Sequence, residues 1–307
     1  MRLHRSLCVL AVALAFIVVV MGAYVRLSDA GLGCPDWPFC YGKPVPADIA
    51  DGHALAKAWK EMGHRYLAGT LGLLILALAI AAWRLQRSAL LAAAIVLVVI
   101  VQATLGAWTV TMLLKPAIVT AHLIGGMTTL ALLAWLAFAQ WSHAAAPEMR
   151  ALRFVAGLAM AAVAIQIVLG GWVSANYAAL ACPELPRCPG PMDFANAFHV
   201  VRELGQTADG QLLSLDALRA IHWAHRLFAN VALLVAIFAA FRAWRLERRL
   251  ALLVAVLVLV QFSLGVANVA LSLPLPLAAA HNAGAAALLL SLVVLNFFAF
   301  RGLRPSW

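Results

Sequence analysis

The sequence predicts an all-α polytopic membrane protein whose eight transmembrane helices form two pseudo-symmetric four-helix bundles. The first observation is composition: 65% of the 307 residues are hydrophobic and 11% are charged, against about half and about a quarter in a soluble domain. The second is a set of eight apolar runs, each long enough to cross about 30 Å of hydrocarbon. The third is an internal repeat. These observations exclude a water-soluble globular protein.

The apolar runs predict the helices in chain order. Their spans are 7–27, 62–83, 89–112, 117–140, 152–175, 218–241, 250–272 and 277–300. The first run follows a short basic segment, as the apolar core of a signal peptide does, but it is long and no A-x-A-like cleavage site follows it. We therefore expect it to stay as the first helix. Two long connections, 28–60 and 176–217, are predicted on the same side of the membrane.

The formal charge of +10 is a topology signal. The N-terminus, three alternate loops and the C-terminus hold twelve arginines against two glutamates, whereas the opposite side holds ten basic and ten acidic residues. The positive-inside rule then places both termini in the cytoplasm and the two long connections outside it. Because this distribution accounts for the whole net charge, no nucleic-acid partner is expected.

An internal repeat divides the chain into an N-terminal half, 1–146, and a C-terminal half, 147–307. Since each half has four predicted helices, the two halves have the same orientation in the membrane. An offset of 148 positions matches Gly22 to Gly170, Cys34 to Cys182 and Cys40 to Cys188. An offset of 161 matches His64-Arg65 to His225-Arg226. An offset of 159 matches Gln102 to Gln261 and His122 to His281.

Each long connection contains one cysteine pair with five residues between its members, Cys34 and Cys40 in the first, Cys182 and Cys188 in the second. Both pairs fall on the side that the charge pattern makes extracytoplasmic, where disulfides persist. Free thiols and metal ligation are the alternatives, and no histidine partner for a metal lies nearby in the sequence. The sequence predicts two short-loop disulfides, with Cys8 a buried free thiol.

Four of the nine histidines are duplicated by the repeat: His64, His122, His225 and His281. Each lies a few residues inside the outer end of an even-numbered helix, so all four share one depth. An ionisable side chain inside a membrane is costly unless it has a partner; the structural alternative is a histidine that hydrogen-bonds neighbouring helices. Two neutral imidazoles in a helix bundle can bind one iron from opposite faces. We predict two haem sites, His64 with His122 and His225 with His281.

Arginines and glutamines accompany these histidines. Arg65 and Arg226 directly follow a histidine near the surface and can clamp haem propionates, or they reach lipid headgroups. Three Gln-x-x-Leu-Gly runs begin at Gln102, Gln166 and Gln261. We predict that these runs, which end at Gly106, Gly170 and Gly265, serve helix packing.

The halves differ at Glu61, which lies one helical turn before His64 on the same face. The repeat places His222 at the corresponding position before His225. A carboxylate beside only one site indicates that the halves differ in task. Glu61 can handle protons, or it is a helix N-terminal glutamate favoured by the macrodipole.

Taken together, these residues resemble the haem A synthase family over nearly the whole chain. The matching strings are Glu61-Met62-Gly63-His64-Arg65 for the family's Glu-x-x-His-Arg signature, His122 in TAHL, His225-Arg226, His281-Asn282 and both cysteine pairs, the first in GCPDWPFC. The family oxidises a ring methyl of haem O to a formyl, which gives haem A for cytochrome oxidase.

The resemblance implies a division of labour between the halves. In the first half, His64 and His122 hold the substrate haem O and Glu61 is catalytic. In the second half, His225 and His281 hold a haem b cofactor. His222 offers a second candidate ligand, but the repeat register favours His225. The implied disulfide cysteines are either redox-active or structural.

The resemblance also implies a bacterial inner-membrane location, with the haem sites near the extracytoplasmic side. Haem O synthase and cytochrome oxidase subunit I are the expected protein partners, and the electron-transfer partner is unknown. A bis-histidine membrane cytochrome is an alternative that gives no reason for Glu61. A thiol-disulfide membrane oxidoreductase is another, although five-residue spacing is unlike a C-x-x-C motif. A transporter is a third alternative, although this chain has few of the intramembrane charges that a transporter needs.

Overall fold

The computed structural model describes residues 2–47 and 49–305. Within them, eight helices are long and apolar enough to cross a membrane, so the prediction of an all-α multi-pass protein is confirmed. The helices are α1 (Arg2–Leu27), α2 (Gly52–Arg84), α3 (Ala89–Thr111), α4 (Pro116–Phe138), α5 (Arg153–Ala175), the four-residue α6 (Phe194–Ala197), α7 (Leu215–Ala243), α8 (Arg248–Ala270) and α9 (Leu275–Arg301).

Short elements connect the long helices. A 3-10 turn, Pro147–Leu152, leads into α5, and a second one, Ala178–Leu180, follows it. The two-residue strands β1 (Ala144–Ala145) and β2 (Leu303–Arg304) pair antiparallel, which ties the link between the halves to the C-terminal segment.

Helix α2 begins ten residues earlier than the apolar run predicted. Asp51 caps it, because its carboxylate accepts a hydrogen bond from the backbone N–H of His53 at 2.9 Å. Residues 52–61 include two lysines, a histidine and Glu61 and lie outside the hydrocarbon-length run, so hydropathy did not mark them as helical. Helix α7 likewise begins at Leu215 rather than 218, capped by the hydroxyl of Ser214.

Each half of the chain closes into a ring of four long helices. In the first half, α1 and α3 each pack against α2 and α4; in the second, α5 and α8 each pack against α7 and α9. The halves meet where α4 contacts α5 and α9 and where α1 contacts α9. This pattern is unchanged when every helix is exchanged for its counterpart in the other half. The pseudo-symmetry of the two bundles remains a prediction. The division at residues 146 and 147 remains a prediction.

Arg26, at the end of α1, links the halves at the end of the bundle that carries the two long loops. Its guanidinium donates to the carbonyl oxygens of Ser174 at 2.9 Å and Ala175 at 3.2 Å. It also lies 3.8 Å from the ring centroid of Tyr177. Cations favour the C-terminal carbonyls of a helix, and this one therefore caps α5 from the other half of the chain.

The core is deepest around α9, which touches both halves. Phe297 and Phe298 are 1% and 0% exposed, and the ring of Trp135 from α4 meets Phe297 edge-on at 5.1 Å. Buried alanines line the facing surfaces of α5 and α7. Small side chains let helix backbones approach closely in a membrane, where packing rather than the hydrophobic effect drives association. The core thus fixes the helices that carry the histidines.

Candidate functional site

Each of the four duplicated histidines packs its ring against a glycine of a neighbouring helix. A methyl group added at Gly22 of α1 would stand 2.9 Å from Cε1 of His64 on α2. The corresponding distances are 3.1 Å for Gly106 and His122, 3.0 Å for Gly170 and His225, and 3.2 Å for Gly265 and His281. Four equivalent helix pairs therefore hold an imidazole in the same way.

Three of these histidines also receive a glutamine from the helix that supplies the glycine. Nε2 of Gln102 donates to the carbonyl oxygen of His122 at 2.7 Å. Nε2 of Gln166 donates to the carbonyl oxygen of His225 at 3.1 Å and lies 3.1 Å from Nδ1 of the same residue. Gln261 places Nε2 3.4 Å from Nε2 of His281. The glycines of the Gln-x-x-Leu-Gly runs contact the histidine rings and the amides make cross-helix hydrogen bonds, while the preference for packing over chemistry stays a prediction.

The pairing of His64 with His122 and of His225 with His281 remains a prediction. All four residues are partly exposed rather than sealed in the core. Nδ1 of His64, His122 and His281 is buried without a hydrogen-bond partner among the described residues. Buried polar atoms in proteins are normally satisfied, so this arrangement fits residues that receive an additional group.

Glu61 is 5% exposed and lies ten residues into α2. The alternative that it is a helix N-terminal glutamate is therefore wrong, because the helix begins at Gly52. Oε2 of Glu61 accepts the backbone N–H of Cys34 at 2.8 Å. Oε1 pairs with Nη2 of Arg65 at 2.5 Å. The carboxylate thus joins the first long loop to the helix that carries His64.

Arg65 also binds the first long loop through hydrogen bonds. Its Nη1 donates to the carbonyl oxygens of Asp36 at 3.0 Å and Phe39 at 2.7 Å. The predicted Cys34–Cys40 disulfide is present, with a Cα–Cα distance of 4.7 Å. Arg65 therefore binds the inside of the loop that this disulfide closes.

The second half repeats this arrangement with a different residue in place of the glutamate. Arg226 donates to the carbonyl oxygens of Cys182 and Glu184, the latter at 2.8 Å, and the predicted Cys182–Cys188 disulfide is present with a Cα–Cα distance of 4.9 Å. Nε of Arg226 lies 3.2 Å from Nε2 of His222. His222 is thus engaged with the arginine, as Glu61 is in the first half.

Both arginines have loop carbonyl groups as partners. The prediction that Arg65 and Arg226 hold haem propionates remains a prediction. Cys8 is buried and free, as predicted.

Comparison with known proteins assigns the chain to a family. A family model described as cytochrome oxidase assembly protein, COX15-CtaA, matches residues 5–293. The chain belongs to this family. A relative named Heme A synthase from Shewanella oneidensis is 41% identical over 92% of this chain and 92% of its own length. A Heme A synthase from Methylorubrum populi is 31% identical over 94% of this chain and 85% of its own length. One from Halalkalibacterium halodurans is 29% identical over 76% of this chain and 81% of its own length.

Within this member of the COX15-CtaA family, sequence reasoning missed two sets of contacts. The first is the pairing of every duplicated histidine with a glycine; the match of Gly22 to Gly170 was the available signal. The second is the contact of Glu61 with Cys34, which needs a loop conformation that no local pattern encodes.

Proposed function

We propose that this protein is a haem A synthase, which oxidises a ring methyl of haem O to a formyl group and is embedded in the membrane. The observation that carries the proposal is the set of four duplicated histidines, each ring packed on a glycine of a neighbouring helix, in a chain 41% identical to a Heme A synthase. Taken as two pairs, these histidines would provide for two haems, as a reaction with a haem substrate and a haem cofactor requires.

We assign the substrate to His64 and His122 and a haem b cofactor to His225 and His281. The second pair fits a resident haem because both of its histidines have a glutamine beside them and a glycine behind them. A bound haem b would supply one-electron transfer chemistry. The protein's part is to hold the helix pairs that carry the two imidazoles.

Glu61 is proposed as the catalytic residue of the substrate half. It lies one turn from His64 on the same face of α2, and no carboxylate occupies the corresponding position of the second half, where His222 stands. Converting a methyl to a formyl replaces two hydrogens on carbon with one oxygen, a four-electron oxidation whose electrons pass to an acceptor outside this protein. A carboxylate beside the substrate can take up the protons that are released. Arg65 holds this carboxylate in place through its 2.5 Å contact.

The orientation in the membrane is also proposed. Arginines cluster at the end of the bundle opposite the two disulfide loops, for example Arg84, Arg150 and Arg248. The positive-inside rule then places both termini in the cytoplasm and the histidines near the extracytoplasmic surface of the bacterial inner membrane. Haem O synthase and cytochrome oxidase subunit I are the proposed protein partners, as donor of the substrate and recipient of the product.

Mass analysis of the haems extracted from the purified protein tests this function. The protein would be coexpressed with a source of haem O, and a matched preparation would carry His64→Ala together with His122→Ala. We expect haem A and haem B from the unmodified protein and no haem A from the double variant. Recovery of haem B alone from the unmodified protein, with haem O supplied, would instead favour a bis-histidine electron-transfer cytochrome.

A further inference from the structure

The end of the bundle opposite the two disulfide loops has a small cavity in the first half of the chain. It is lined by His4, Arg5, Leu85, Arg87 and Gln140. These residues come from the start of α1, the turn after α2 and the segment that follows α4. Two of them are arginines, and no carboxylate is among the described residues that line the cavity. The cavity is therefore positively charged, and it has room for about one water-sized group.

His4 brings an unsatisfied polar atom to this cavity. The residue is 7% exposed, and its Nδ1 is buried without a hydrogen-bond partner among the described residues. The other ring nitrogen, Nε2, lies 3.9 Å from Sγ of Cys8, a free thiol. Because a thiol can donate to Nε2, the proton of the neutral imidazole then lies on Nδ1. Buried donors are normally satisfied, and an acceptor in the cavity would satisfy this one.

Arg5 has a structural role that the second half repeats. Its Nε donates to the carbonyl oxygen of Gln140, just beyond the end of α4, at 2.9 Å. Arg153, 148 positions later, donates through Nε to the carbonyl oxygen of Ala299 at 3.4 Å. Ala299 is itself 159 positions after Gln140. The contact of an arginine with the end of the last helix is therefore common to both halves and needs no ligand to explain it.

The polar lining, in contrast, belongs to the first half alone. The residue 148 positions after His4 is Leu152, and the residue 159 positions after Gln140 is Ala299. Both are fully buried in the hydrophobic core of the second half. The same helix junction can thus be closed by apolar packing. The first half instead places a buried imidazole and a buried amide there, beside two arginines.

Exposed apolar side chains flank this charged lining. Leu3 precedes His4, Trp141 follows Gln140, and Leu85 lines the cavity itself; all three are exposed. Tryptophan is common at the level of lipid headgroups, and basic pockets between transmembrane helices on the cytoplasmic side bind anionic headgroups. A phospholipid offers a phosphate to the cations and a hydrocarbon chain to the apolar side chains, whereas a soluble anion offers only the first.

We propose that this cavity binds the phosphate group of an anionic phospholipid. One phosphate oxygen would accept a hydrogen bond from Nδ1 of His4, and Arg5 and Arg87 would supply the positive charge. An anionic lipid is favoured over a zwitterionic one, because the ammonium group of a zwitterionic headgroup offsets the phosphate charge. Inorganic phosphate has the same oxygen chemistry but no chain for the apolar side chains. The site includes none of the histidines assigned to haem.

The test counts the lipids bound to the purified holoprotein by native mass spectrometry. The protein would be titrated with phosphatidylglycerol in micelles of detergent and phosphatidylcholine. The double variant His4→Leu, Gln140→Ala introduces the residues of the second half and leaves both arginines in place. We expect one tightly bound phosphatidylglycerol in the unmodified protein. The affinity should fall at least about tenfold in the double variant, the usual effect of losing a hydrogen bond to a charged group.

Two single variants at exposed positions keep the proposal testable if the double variant does not fold. Arg87→Gln and Arg249→Gln each remove one positive charge from the same end of the bundle, but only Arg87 lines the cavity. We expect the first change to weaken binding at least about tenfold and the second to have a much smaller effect. Equal effects of these two changes, or an unchanged affinity in the double variant, would overturn the proposal.

Inorganic phosphate is the probe that separates the two sources of the phosphate group. It would be added to the complex with phosphatidylglycerol, and we expect the lipid to remain bound. Displacement of the lipid by inorganic phosphate, together with no preference for phosphatidylglycerol over phosphatidylcholine, would overturn the assignment to a lipid and identify the soluble ion as the ligand.

Discussion

The hydroxyl of Tyr177 donates to Oδ1 of Asp29 at 3.2 Å, and these two residues occupy the same position in the two halves, 148 residues apart. Arg26 shows the same relationship, because one of the carbonyls that it binds belongs to Ser174, its own counterpart. The two contacts therefore join the ends of α1 and α5 through positions that the repeat matches to each other.

The first prediction concerns Arg26. Arg26→Gln removes the charge-assisted hydrogen bonds to the end of α5 and the cation–π contact with Tyr177, and we expect it to lower the free energy of unfolding by about 2 kcal/mol. Thermal unfolding in detergent measures this. Lys115→Gln is the control, since it breaks only an exposed ion pair with Glu203 and should cost under about 1 kcal/mol. Equal effects of the two changes would contradict a special role for Arg26.

The second prediction is a pH dependence at Asp29. The hydrogen bond from Lys57, with help from its charge and from Tyr177, holds the pKa of Asp29 below the ordinary value of 3.8. A lowered pKa means that the contribution of this carboxylate is fully present above the unfolded pKa and is lost as the pH falls through the folded pKa. The stability difference between the protein and Asp29→Asn should therefore be constant above about pH 5 and shrink below about pH 4. Because the side chain is 70% exposed, that difference should be small.

The third prediction concerns the glycines behind the histidines. Gly22→Ala places a methyl group 2.9 Å from the His64 ring, and Gly170→Ala places one 3.0 Å from the His225 ring. Because each ring must shift, we expect the first change to reduce the content of haem O and haem A and the second to reduce that of haem b. Gly69→Ala on α2 is the control, since the added methyl meets nothing within 4 Å.

A general packing defect would affect both haems in every glycine variant. The proposed assignment instead requires that Gly22→Ala spare haem b and that Gly170→Ala spare the substrate haem. Haem mass analysis distinguishes the two outcomes.

The fourth prediction separates the ligands. His225→Ala or His281→Ala should abolish the low-spin haem b spectrum, while His64→Ala or His122→Ala should leave most of it and stop conversion. His222→Ala should retain the spectrum, because His222 is engaged with Arg226. Loss of the spectrum in His222→Ala and its survival in His225→Ala would make His222 the ligand on α7.

The fifth prediction concerns Glu61. Glu61→Gln keeps the size of the side chain but removes the charge and the proton acceptor, so haem O should bind while haem A formation falls by at least about a hundredfold, the usual contribution of a general acid or base. Glu148→Gln is the matched control, since Glu148 pairs with Arg304 in an exposed ion pair. Haem A yield is the measurement, at equal expression.

Glu61 also contacts Cys34, so the same variant needs a test of loop structure. If the Cys34–Cys40 disulfide forms normally in Glu61→Gln, as non-reducing peptide mapping would show, the loss of activity belongs to the carboxylate rather than to a displaced loop. A normal haem A yield would reject the catalytic assignment and leave Glu61 as the contact that holds the loop.

Much of the fold could be predicted from the sequence, because the length of an apolar run and the positions of arginines can be read from single segments of the chain. The eight spans and both disulfides were predictable in this way. The start of α2 was not, since its first turns lie beyond the apolar run and depend on the Asp51 cap. The partners of Glu61 and Arg65 were not predictable either, because both depend on how residues 34–39 fold back over α2.

The contact of each histidine ring with the backbone of a neighbouring helix makes the sites sensitive to the surrounding lipid. Helices adapt to bilayers of different thickness by changing tilt, at a modest energetic cost. Because Gly22 of α1 contacts the His64 ring on α2, a change in the angle between these helices would alter that contact, and the same holds for α5 and α7 at Gly170 and His225. The length of the lipid hydrocarbon chains in a reconstituted bilayer should therefore change how tightly the neighbouring helices pack on the imidazoles, with no change to the protein sequence.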